Sequence, residues 1–153
     1  MKRKISLLLA IVCFAAALCG CGGSKKEMNP TAFTQDLLAN AKFTDSLDRL
    51  GDNVVPLLYG VDEADYTEAI VYCGTAATAE EVAVFTATDS AAAARILTAC
   101  KDRVAKQIET YKDYGPAAAM LLGDAIVKQS GNYVVVVVCT DTEGAAKIVE
   151  NYI

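Results

Sequence analysis

The sequence predicts an α+β domain: an antiparallel sheet of about four strands with helices packed against it. Three observations predict it. Residues 66–88 and 125–140 each read as two strands joined by a short link, and between them lies a long amphipathic helical stretch. Short links favour antiparallel neighbours, and an apolar helix face needs a sheet to cover.

The elements follow in order from Thr31. Residues 32–50 space Phe33, Leu37, Leu38, Phe43, Leu47 and Leu50 at three to five, which predicts one helix, or two short ones broken near Phe43-Thr44-Asp45. Gly51-Asp52-Asn53 stops that stretch, and Val54–Tyr59 is a short apolar turn around Pro56, closed by Gly60. Tyr66–Cys73 and Glu81–Thr88 read as the first hairpin. Asp89 or Ser90 caps a helix running to about Lys112, with Leu97, Cys100, Val104, Ile108 and Tyr111 on one face. Gly115-Pro116 ends it, and Ala117–Leu122 adds a short helical piece. Ala125–Gln129 and Tyr133–Thr140 form the second hairpin across Ser130-Gly131-Asn132. Val134–Val138 is apolar at every position, as suits a strand covered on both faces. Asp141 or Thr142 caps a terminal helix. Hairpin then helix, twice over, is a weak internal echo.

Composition limits the chemistry. The chain has 153 residues, 54% hydrophobic and 22% charged, which suits one domain and excludes disorder. It has no histidine, so the commonest general base and metal ligand is missing. The formal charge is −5; without residues 1–20, which hold three basic residues and no acid, 11 basic residues face 19 acidic ones, a net −8. That balance opposes nucleic acid as a partner.

The first thirty residues read as an address and a tether. Lys2-Arg3-Lys4 is a basic head and Ile5–Leu18 an uncharged run of signal-peptide length, too short and too soon in glycine to favour a membrane span. Leu18-Cys19-Gly20-Cys21 resembles the lipobox of bacterial lipoproteins. The resemblance implies cleavage between Gly20 and Cys21 and a diacylglyceryl group on the Cys21 thiol; ordinary secretion, with Cys21 a free thiol, is the alternative. Two acyl chains anchor stably where one does not. Residues 22–30 then form a polar leash of roughly 15–18 Å as a random coil. The expected organisation is signal peptide 1–20, lipidated cysteine and tether 21–30, and α+β domain 31–153, on the outer face of the cytoplasmic membrane.

Leu58-Tyr59-Gly60, the run Ala79-Glu80-Glu81-Val82-Ala83-Val84-Phe85, and Gly131-Asn132-Tyr133-Val134-Val135 resemble a family of bacterial cell-surface lipoproteins of Gram-positive type. Its members carry a single domain of unknown function. The likeness covers roughly residues 33–153 and implies the extracytoplasmic location and the α+β fold, with no activity, ligand or catalytic residue.

Most of the residues that could carry chemistry read as packing. Cys73, Cys100 and Cys139 read as small buried hydrophobes, with a Cys73–Cys139 bridge as the rival. No short-spaced cysteine pair completes a metal site. Asp62-Glu63-Ala64-Asp65 and Glu80-Glu81 read as solvated loop charge or turn caps. Tyr59, Tyr66, Tyr111 and Tyr114 read as half-buried core rather than a binding platform. No catalytic residue, cofactor or metal is expected. The function expected is a non-catalytic binding or interaction module with an envelope protein or small ligand as partner; the rival is a histidine-free envelope enzyme, such as a carboxylate-dependent wall-glycan hydrolase.

Overall fold

A proline at the first position of a helix gives up no hydrogen bond, and Pro30 starts the first helix there while the Asn29 side chain accepts from Ala32 N at 2.9 Å. This helix, α1 (Pro30–Asn40), opens the computed structural model, which describes residues 27–153. The signal segment, Gly20, Cys21 and the first part of the leash lie outside the described residues. The order continues β1 (Asp48–Arg49), α2 (Val55–Tyr59), a 3-10 turn (Glu63–Asp65), β2 (Tyr66–Cys73), β3 (Glu81–Ala87), α3 (Ser90–Tyr111), α4 (Pro116–Gly123), β4 (Ile126–Ser130), β5 (Tyr133–Val138) and α5 (Thr142–Tyr152).

The strands make one sheet, β1-β2-β3-β5-β4, antiparallel throughout. The α+β class stands, with five strands rather than four. The additional strand is β1, whose residues pair Asp48↔Cys73 and Arg49↔Tyr72. It replaces the expected second short helix, for a reason visible in the loop before it. The N–H groups of Thr44 and Asp45 donate to the Glu80 carboxylate at 2.7–2.9 Å, which fixes this loop against the β2–β3 hairpin, and the residues that follow take their backbone bonds from β2, with Leu50 N donating to Val71 O at 2.9 Å. Phe43 and Leu47 still pack inward, which is why their spacing resembled a helix.

β3 and β5 are interior strands with helices on both sides. One face carries Val71, Ala83, Phe85, Val134, Val136 and Val138 against α2, α3 and α4. The other carries Ile70, Val82, Val84, Val135 and Val137 against α1 and α5. Every residue of Val134–Val138 is buried, each worth about 1.5–3 kcal/mol relative to exposure. The repeated order of hairpin and helix is present, but α3 and α5 lie on opposite faces, so the echo is one of sequence order.

Local chemistry sets the ends. The Asp89 and Asp141 side chains accept from Ala92 N and Gly144 N at 2.8 and 3.0 Å, capping α3 and α5. Gly131 takes φ +58° in the two-residue turn between β4 and β5, the left-handed value such hairpins require. Asp65 holds Arg95 of α3 through two bonds, Nε to Oδ2 at 2.9 Å and Nη2 to Oδ1 at 2.5 Å. The 3-10 turn is thereby tied to the long helix. No helix among the described residues is long and apolar enough to cross a membrane.

Candidate functional site

The most polar part of the interior lies where the β2–β3 hairpin approaches α2 and the middle of α3. Glu81 opens β3 in phase with Ala83 and Phe85, so its side chain enters the face covered by α2, α3 and α4. It is buried, directly opposite Cys73 on β2 and Val138 on β5. A carboxylate there requires donors, and three side chains supply them. Arg103 Nη2 donates to Oε2 at 2.5 Å and the Cys73 thiol to the same oxygen at 3.4 Å. Tyr59 donates its hydroxyl to Oε1. The Arg103 guanidinium also lies 4.9 Å from the Tyr59 ring centre, a cation–π contact. Tyr59 is delivered by α2, which Gly60 ends in the left-handed conformation at φ +66°.

This arrangement suppresses nucleophilic chemistry at the nearby sulfurs. Burial, then the Glu81 carboxylate, pushes the Cys73 and Cys100 thiols up to about 12. The same two causes raise the Tyr59 phenol. Burial works to lower the Arg103 pKa, but the Glu81 carboxylate outweighs it and the guanidinium stays charged. Because the thiolate is the reactive form, iodoacetamide at pH 8 is expected to leave Cys73 and Cys100 unmodified in the folded protein. Both should be modified after denaturation, as read by peptide mass spectrometry.

Beside the pair opens a cleft of about 260 Å³. Leu50, Val54, Leu58 and Tyr111 supply apolar wall; Arg103 and Gln107 supply polar groups; Gly74, Thr75 and Ala76 form the far side. The far side is held in place. The Tyr111 hydroxyl donates to Ala76 O at 2.6 Å, and Asp45 accepts from Thr75 N at 2.7 Å and Thr75 Oγ1 at 2.5 Å. Those bonds hold the Asp45 carboxyl below its ordinary range. Glu80, also buried, binds the 44–45 backbone and completes the clamp between the two loops.

The structure corrects the expectation for the acidic clusters. Glu80 and Glu81 are both buried and bonded, where solvated charge was expected. In the other cluster, Asp62 caps the 3-10 turn through Ala64 N at 2.9 Å and Asp65 pairs with Arg95. Cys73, Cys100 and Cys139 are free thiols. Cys73 and Cys139 cannot bridge in this fold because they pack on opposite faces of the sheet. Tyr111 is buried as expected, whereas Tyr114, 5.1 Å from it between ring centres, is exposed. Among the described residues no group of three or more Cys, Asp or Glu could hold a metal ion.

The sequence reading passed over Arg103 and set Gln107 mostly away from the apolar face of the long helix, whereas both line the cleft. Their signal was available: Ile96, Cys100, Arg103, Gln107 and Tyr111 follow at steps of four, three, four and four, one stripe of α3. Likewise, Glu81 shares the phase of Ala83 and Phe85.

The model of one protein family matches residues 40–139, about two thirds of the chain and every residue of the cleft. The chain belongs to the DUF4358 family, a domain of unknown function. The DUF4358 match runs from the last residue of α1 to the residue after β5, so it takes in the whole sheet with α2, α3 and α4. Neither a curated protein nor a solved structure matches the chain.

Proposed function

We propose that this DUF4358 protein is a lipoprotein of the bacterial envelope, anchored by a diacylglyceryl group on Cys21, whose domain binds a partner or small ligand and carries out no reaction. The observation that carries the anchor is the ordered run of basic head, apolar stretch and Leu18-Cys19-Gly20-Cys21. The binding role is supported by how the interior charges are used. A wall-glycan hydrolase needs a carboxylic acid free to give its proton to a leaving group. Glu81 instead accepts from three side chains and Glu80 from two backbone N–H groups, and thiols near pKa 12 make poor nucleophiles.

Cys21→Ser tests the anchor. Cells fed an alkyne-bearing fatty acid should label the parent protein and leave the variant unlabelled, with the variant released from the membrane fraction. Persistent label on the variant would remove the reading. Turnover of a wall glycan by the full chain would refute the non-catalytic half.

A further inference from the structure

We propose that the cleft beside the Glu81–Arg103 pair is a binding site for a neutral, peptide-like amide carried on an apolar residue. The inference rests on the binding role argued above and names the chemistry of the ligand. Three features of the cleft carry it: its walls, its unused polar groups and its charge.

Leu50, Val54, Leu58 and Tyr111 make the walls predominantly apolar, and Val54 at the mouth is 40% exposed. A concave apolar site with a few convergent polar groups is the general form of a ligand pocket. Two such groups stand one turn apart on α3. Gln107 is half-buried and its carboxamide has no hydrogen-bond partner among the described residues. Arg103 gives Glu81 a single bond through Nη2, while its Nε, buried beneath the cleft surface, has no hydrogen-bond partner among the described residues. Buried donors left without acceptors are costly, and few occur in native domains. The Gln107 carboxamide and the terminal guanidinium N–H groups that Glu81 leaves free offer donors to a carbonyl oxygen, and the carboxamide oxygen accepts an N–H in return. A peptide amide has both groups on one edge.

Charge selects the neutral form. Arg103 is already neutralised by Glu81, and Glu80 adds a second carboxylate to the lining. A ligand carboxylate would therefore meet net negative surroundings. The oxygens of Glu80 and Glu81 are already engaged by internal donors, which leaves them little to offer an ammonium group.

The test uses the full chain in detergent micelles, with N-acetyl-leucinamide as probe and N-acetyl-leucine and leucinamide as its anionic and cationic counterparts. The Arg103 Nε–H and Gln107 NH₂ signals, followed by ¹⁵N NMR, should shift saturably with the neutral probe. Both charged analogues should bind more weakly. Gln107→Ala removes a side chain with no structural bond and should weaken binding about 3- to 10-fold; Val54→Asp at the mouth should abolish it. An acetylated pentapeptide amide with a central leucine separates the sources. Binding that survives in the pentapeptide indicates a segment of a partner protein, and binding confined to the single residue indicates a small free ligand; both support the site. No shift at either signal, equal binding by a charged analogue, or an unchanged Gln107→Ala affinity would each overturn it. None of these results depends on Cys21, so failure here leaves the anchor standing, and loss of the anchor leaves the cleft testable.

Discussion

Glu81→Ala is expected to lower the free energy of unfolding by about 3–5 kcal/mol, read from urea midpoints with the slope unchanged. The variant leaves the Arg103 guanidinium in a site where its side chain is only 13% exposed, without the carboxylate that pairs with it. It also leaves the Tyr59 hydroxyl and Cys73 thiol without their acceptor. Most of the loss is the penalty of an unpaired buried cation, not the worth of the pair itself. The double variant Glu81→Leu/Arg103→Met should therefore recover much of the stability, because both desolvation costs disappear together. Recovery would mean that the pair is retained for something other than stability. A double variant as unstable as Glu81→Ala would mean that the polar network is itself what holds α2 to α3.

The elements with strong local signals were legible before the structure. The α3 cap at Asp89, the glycine turn at Gly131 and the apolar run Val134–Val138 each have a local cause, and each lies where the sequence placed it. What was not legible depends on contacts far along the chain. β1 exists because Asp48 and Arg49 reach β2 across more than twenty residues, and two residues have no periodicity to read. The acidic pair misled for a related reason. Glu80-Glu81 follows a polar loop and looks solvated; only its donors, Thr44 and Asp45 on one side and Arg103 and Tyr59 on the other, make it interior. Arg103 was hidden by its own charge, although its place in the stripe of α3 pointed inward. The candidate site thus falls where residue type and periodic position disagree, and the position was the better guide.

Phe85→Ala is the second large effect, expected near the upper end of about 3–5 kcal/mol. Phe85 is fully buried on β3 and meets Tyr59 and Tyr66 edge-on, with ring centres 5.0 and 5.8 Å away. How much a large-to-small change costs depends on how well the site can collapse. Here it collapses poorly. Its β2 register partner is Ala69, Ala83 and Ala87 share its face of β3, and Ala92 and Ala93 of α3 belong to the same core. Alanines have no rotamers with which to fill the space, and the sheet hydrogen bonds hold the strands at fixed spacing. Phe85→Leu keeps most of the volume and should cost no more than about 1.5 kcal/mol. A wide gap between the two variants in thermal and urea unfolding would assign the effect to the cavity. Equal losses would instead assign it to the ring edges against Tyr59, and thus to the positioning of the hydroxyl that Glu81 accepts.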